Sequence, residues 1–182
     1  MVMIGLAITN EVKAQDDAAM KAWHTYMTPG EVHKMMAKSD GKWKADVSIW
    51  MAPGAAAEKS TAVCENKMIL GGRYQQSVHR GTMMGMPFEG VSMLAYDNAK
   101  KIFISSWVDN MGTGIMYMEG TWDEGSKSIH FKGKTVDPTT GKDMEVREVF
   151  KLVDDNNQIM EMYSSFDGKE MKTMEIKFSR QP

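Results

Sequence analysis

The sequence predicts an all-β domain, a closed or nearly closed antiparallel barrel of about ten strands with short N-terminal helices. Three observations carry that expectation. Helical periodicity ends near Gly41, and short runs of alternating apolar and polar residues follow it to the end of the chain. Turn residues divide those runs at near-regular spacing. The links are short, which favours antiparallel neighbours, and so long a sheet escapes exposed edges by closing on itself.

The runs justify the strands one by one. Trp43, Ala45, Val47 and Ile49 alternate with Lys44, Asp46 and Ser48. Ala62, Cys64, Met68 and Leu70 form the next apolar face, and Gly71-Gly72 ends it before a strand from Arg73 to Arg80. Residues Gly81 to Pro87 read as a Met- and Gly-rich loop, followed by strands Phe88–Tyr96 and Lys101–Val108 around Asp97-Asn98. Ile115–Trp122 and Ser128–Val136 flank Asp123-Glu124-Gly125, and Lys142–Val153 and Gln158–Phe166 flank Asp154-Asp155-Asn156-Asn157. Asp167-Gly168 is a hairpin signal before the last strand, Glu170–Arg180.

Two helices are expected ahead of the strands. Asp17 is placed to cap a helix over Ala18–Met27. Thr28 as N-cap, Pro29 at the first helical position and Glu31 completing a capping box start a second, running to about Lys38. Residues 15–182 thus read as one domain with a helical cap at about 17–38. Met1 to Thr9 is a short apolar run, and Val12-Lys13-Ala14 before Gln15-Asp16-Asp17 has the small residues of a cleavage site. Residues 1–14 therefore read as a shortened secretory signal without a basic n-region, which implies a periplasmic or extracellular protein; a cytoplasmic chain with an ordinary N-terminal segment is the alternative.

Composition narrows the function classes. The chain has 182 residues with 42% hydrophobic content, enough for one core. A net charge of −2, with cations scattered among acids, argues against nucleic acid as a partner. No stretch is long enough to span a bilayer as a helix. Composition says nothing about oligomeric state. The single cysteine, Cys64, alternates with Ala62 and Met68 and reads as a core thiol, not a nucleophile.

Gly41-Lys42-Trp43, just after a helix and opening the first strand, resembles the G-x-W signature of the lipocalin and calycin group. That resemblance implies a tryptophan at the closed end of the barrel with a basic side chain of the last strand packed across it. Arg180 fits, because it shares parity with Met174, Ile176 and Phe178. A longer series of blocks follows in order: Tyr26-Met27-Thr28-Pro29-Gly30-Glu31-Val32-His33, Gly71-Gly72-Arg73-Tyr74, Met83-Met84-Gly85-Met86-Pro87-Phe88-Glu89-Gly90, Tyr96-Asp97-Asn98 and Trp107-Val108-Asp109-Asn110-Met111-Gly112-Thr113-Gly114. It resembles the bacterial domain-of-unknown-function family fifteen seventy-nine. The resemblance implies a lipocalin-like barrel and brings no catalytic residues with it.

No metal or cofactor is expected. His24, His33, His79 and His130 are far apart, and none forms a spaced ligand pair. A related barrel group binds haem through a histidine near the end of the barrel, but no histidine follows His130 here. Glu148 is chemically the most notable residue. It sits among Met144, Val146, Phe150 and Leu152, so its carboxylate is aimed at an apolar face, where it must be paired or protonated. It is the only candidate acid or base.

The 20 methionines are the compositional oddity. Met116 with Met118, and Met160 with Met162, share strand faces. With Met93 and Glu148 they are the expected lining of a cavity for a small apolar ligand, because methionines repack at low cost. Core filling is the competing reading. Met83, Met84 and Met86 form a separate cluster that invites Cu(I) binding by thioethers. The expected function is a ligand-binding barrel. An enzyme acting on a small lipophilic substrate through Glu148, and a structural or Cu(I)-handling envelope protein, are the alternatives.

Overall fold

A computed structural model describes residues 7–166 and 168–182. Two helices, α1 (Ala7–Met27) and α2 (Glu31–Ala37), precede ten strands. These are β1 (Gly41–Ile49), β2 (Glu58–Ile69), β3 (Tyr74–Met83), β4 (Met86–Asp97), β5 (Ile102–Asp109), β6 (Met116–Asp123), β7 (Ser128–Asp137), β8 (Lys142–Asp154), β9 (Asn157–Phe166) and β10 (Lys169–Arg180). Each pairs antiparallel with the next, and β1 pairs with β10, so the sheet closes as a barrel with no free edge. Among the described residues no helix is long and apolar enough to cross a membrane.

One end of the barrel is sealed, and its chemistry begins with Trp43. Trp43 has no exposed surface and donates its indole N–H to the Ser39 carbonyl at 2.9 Å. The guanidinium of Arg180 lies 4.3 Å above its ring, and the two residues are cross-strand partners of β1 and β10. The same guanidinium donates to the carbonyls of Lys38 (2.6 Å), Asp40 (2.7 Å) and Asp155 (2.9 Å). Gly41 lets it approach: the backbone there has φ +117°, and a Cβ would stand 3.2 Å from Nη1 of Arg180.

Inward polar side chains finish the seal. Asn66 donates to the Ser39 carbonyl and Gln158 to the Ser39 hydroxyl, at 3.0 and 2.7 Å. Gln75 donates to the Met36 carbonyl and to the Asp40 carboxylate, which also accepts the Met68 N–H. The turn between α2 and β1 is thereby tied to four strands, and its backbone groups are satisfied out of water. Below it, Met36 packs with Phe103, Met118, Ile129, Phe131 and Val146 in one core cluster. Trp43 packs with Ala45, Val47, Cys64, Ile176 and Phe178 in another.

Four local expectations are corrected. The first helix does not start at Asp17; α1 runs unbroken from Ala7, and the described residues 15–28 are all exposed. It is therefore no part of the cap. Only its C-terminal end is held, by Asn98 donating to the carbonyls of Thr25, Tyr26 and Thr28 and Arg73 donating to that of Met27. Thr28 does not cap α2, because its hydroxyl turns back to the His24 carbonyl at 2.6 Å. The cap is Gly30, whose N–H donates to Nδ1 of His33 at 3.1 Å. Finally, Gly81 to Pro87 is not a loop: β3 and β4 extend into it, leaving Met84-Gly85 as a two-residue turn with both φ values positive.

Trp43→Ala should lower unfolding stability by about 3–5 kcal/mol, as other buried aromatics do. Urea denaturation followed by far-UV circular dichroism measures it, and a loss below about 1 kcal/mol would show that the sealed end does not depend on the indole.

Candidate functional site

The strand register defines the inner face. Phe131 of β7, Glu148 of β8, Met162 of β9 and Met174 of β10 lie side by side across successive strands, one inward row farther from the sealed end than Ile129, Phe150, Met160 and Ile176. On the other side Met118 of β6 pairs with Gly133, and Met116 pairs with Trp107 of β5. Period-two alternation turns Tyr117 and Glu161 outward. Met116, Met118, Met160, Met162 and Glu148 therefore share the inner wall.

Met93 does not. It pairs with Gln76 and Ser106, the outward residues of β3 and β5, and Leu94 is the neighbour that packs on the core. Its surroundings are an apolar stripe on the outer face, where Val78, Val91 and Val108 stand in register. Met93 is therefore removed from the lining. Met83 and Met86 are cross-strand partners at the tip of the β3–β4 hairpin, and Met84, in the turn, is 66% exposed.

Packed and partly exposed stretches interleave along the inner wall. Trp43, Phe103, Phe131, Met118 and Val146 are buried, whereas Trp122, Phe150 and Leu152, nearer the sealed end than Val146, are only half-buried. The inward side chains of Trp107, Met116, Met144, Glu148, Met160, Met162 and Met174 also keep accessible surface. Met118 belongs to the packed part, at 1% exposure, and fills the space over Gly133, where a Cβ would meet it at 2.6 Å.

On the inward face of its own strand Glu148 lies between buried Val146 and half-buried Phe150. Protein surrounds it, and this desolvation pushes its carboxyl up to about 7 from an ordinary 4.5. No described residue donates a hydrogen bond to it. Yet no side-chain nitrogen or oxygen in the described structure is both sealed from solvent and unpartnered. The carboxyl therefore borders space that a water molecule can occupy. Its cross-strand neighbours, Phe131 and Met162, offer no hydrogen bond.

A second polar group on the inner wall was not singled out in the sequence. Cys64 and His79 are cross-strand partners of β2 and β3, with Sγ and Nε2 3.5 Å apart. Cys64 also donates to Oδ1 of Asn66 at 3.0 Å. The His79 ring meets Trp107 edge-on at 5.1 Å and Phe178 at 6.2 Å. Burial holds its imidazole down at about 4, and raises the Cys64 thiol to about 12. His79 is thus a neutral ring at physiological pH, and Cys64 is an unreactive core thiol. Counting back from the Gly71-Gly72 turn would have found the pair, since Ile69 faces Tyr74 and each step inward along one strand matches a step along the other.

Trp107 fixes the wall above this pair. Its indole donates to Oδ2 of Asp109 at 2.7 Å and stacks on Phe88, with centroids 6.3 Å apart. Gly90 is required beneath it, because a Cβ there would lie 2.4 Å from the indole. The remaining histidines lie elsewhere: His33 in α2, His130 exposed on the outer face of β7 and His24 on α1. Among the described residues no three His, Cys, Asp or Glu side chains gather as a metal-binding group.

The Glu148 proton has a measurable consequence. The folded state keeps it up to about pH 7, whereas the unfolded chain loses it near 4.5, so this residue lowers stability as pH rises through that window. Glu148→Gln should therefore stabilise the fold at pH 8, by at most roughly 3 kcal/mol, and leave it unchanged at pH 4. His79 acts in the opposite sense, losing stability as pH falls from 6.5 toward 4, and contributes equally to both proteins. Urea unfolding of the two proteins at both pH values tests this; equal stability at pH 8 would place Glu148 in an ordinary environment.

Comparison with known proteins agrees with the architecture. The family described as "Protein of unknown function (DUF1579)" matches residues 28–180. The crystal structure of Rv2717c from M. tuberculosis is similar over 85% of this chain and 100% of that one, with a TM-score of 0.63 and 11% sequence identity. At that identity the likeness shows a shared fold alone. No curated protein matches the chain. The family match begins at Thr28, beyond α1, and ends at Arg180, the residue that closes the barrel on Trp43. The chain belongs to the DUF1579 family.

Proposed function

We propose that this protein is a lipocalin-like binding protein that holds a small, largely apolar molecule in the upper part of its barrel. One observation carries the reading: Glu148 has no partner among the described residues and keeps accessible surface on a methionine-lined wall. A filled structural barrel has no reason to keep an unpaired carboxyl inside, since its burial costs stability. A binding chamber does, because a polar anchor in an apolar wall orients a ligand. Met160 and Met162 suit such a wall, since their side chains adapt to the shape of a guest.

An acid–base role for Glu148 on a lipophilic substrate is the second reading. The carboxyl near 7 favours it, being poised to gain or lose a proton at physiological pH. No second group within hydrogen-bonding reach of Glu148 supplies the complementary step among the described residues, so binding ranks first.

We also propose that the protein is exported after cleavage near Ala14. The exposure of residues 15–28 supports this, because a chain that begins near Gln15 starts outside the packed core, where a terminus is readily accommodated. N-terminal sequencing of protein from its own host should read from about Gln15; intact Met1 in a cytosolic fraction would contradict export.

For the chamber itself, a neutral environment-sensitive naphthyl probe should gain fluorescence on binding the wild type. Met162→Trp adds bulk beside Glu148 and should weaken that binding tenfold or more, about 1.4 kcal/mol, with the fold intact by circular dichroism. Equal binding by both proteins would place the probe elsewhere, and no binding to the wild type would leave the barrel a structural one.

A further inference from the structure

The charge on the inner wall is one-sided. At mid-height the inward titratable groups are Glu148, His79 and Cys64, and no described cation joins them. Arg180 is at the sealed end, committed to three backbone carbonyls and the Trp43 ring. Lys142 and Lys169 start strands at the far rim and are exposed. A buried ligand carboxylate would find no counter-charge here and, wherever Glu148 is ionised, would face a like charge.

We propose that the ligand is a lipophilic amine, its protonated amino group seated on the Glu148 carboxylate and its apolar body lying among Met160, Met162 and Met174. This rests on the reading of the barrel as a binding chamber and adds the ligand's charge and class. The immediate surroundings favour a cation. Phe131 stands beside Glu148 and Phe150 two residues along the same face, so aromatic rings flank the position of the amino group. An ammonium donates up to three hydrogen bonds, and the carboxylate, with no protein donor, has its full acceptor capacity free. An alcohol would use one of those bonds and gain no charge pairing. An acid, ionised at pH 8 like Glu148 itself, would gain neither.

The proton follows from the same geometry. The residues facing Glu148 are Ile129, Phe131 and Gly133 of β7, Met160, Met162 and Ser164 of β9, and Val146 and Phe150 of its own strand. None is titratable. Across the barrel His79 and Cys64 are neutral. At pH 6 the free protein carries Glu148 protonated, so binding an ammonium ion releases that proton to solvent. At pH 8 the carboxyl is already largely ionised and little proton release accompanies binding.

Naphthylmethylamine, naphthylmethanol and naphthylacetic acid present one apolar body with three heads. Titration calorimetry of the full chain at pH 8 should show the amine binding about tenfold or more tighter than the alcohol, and the acid weakest. In Glu148→Gln, and in Glu148→Met as a second variant, amine and alcohol should bind within about twofold of each other, with alcohol affinity kept. At pH 6, titrations in buffers of different ionisation enthalpy should show close to one proton released per amine bound by the wild type. An acid that binds as well as the amine, or an amine preference that survives both substitutions, overturns the assignment. Alcohol binding without amine preference defeats this inference alone, whereas failure of all three to bind defeats the chamber reading as well.

Discussion

The contact between Arg180 and Trp43 holds the architecture together. It joins the last strand to the first, which closes the sheet, and it ties both to the turn between α2 and β1. A guanidinium suits this place because it is planar, permanently charged and forked, so it can stack on an indole while donating in several directions. Once the sealed end is fixed, the register of every other strand follows around the barrel, and register decides which side chains face inward.

Trp43, Phe103, Phe131 and Met118 are buried, and the polar seal of Asn66, Gln75 and Gln158 concentrates hydrogen bonding at the sealed end. In the proposed binding reading, inward methionines give way to a guest by repacking, while the closed ladder keeps the backbone satisfied. Placing a carboxyl on the inner wall costs stability at neutral pH, the kind of local cost that functional sites carry.

The strands were legible in the sequence wherever polar and apolar residues alternate cleanly, as from Trp43 to Ile49. Gly41-Lys42-Trp43 and the parity of Arg180 anticipated the sealed end from residues 137 positions apart (Trp43 to Arg180). Met93 was misread because its strand is apolar on both faces: Val91, Met93 and Ala95 outside are as hydrophobic as Phe88, Leu94 and Tyr96 inside. Hydrophobicity alone cannot orient such a strand. The β3–β4 turn was hidden by its glycines and methionines, which look like a loop but form a tight turn at Met84-Gly85. The Thr28 cap failed because a competing acceptor, the His24 carbonyl, lay one helical turn behind it. Cys64 and His79 were missed as a pair because their proximity comes from hairpin register, not from sequence spacing.

The central claim is that the upper barrel is hollow and that Glu148 faces the hollow without a protein partner. A crystal structure at a resolution that shows ordered water tests it most directly. The account predicts solvent or ligand density against the Glu148 carboxyl, between Met162 and Phe131, with no protein donor within hydrogen-bonding distance. A carboxyl hydrogen-bonded to another side chain, in an interior packed solid with methionines, would contradict it.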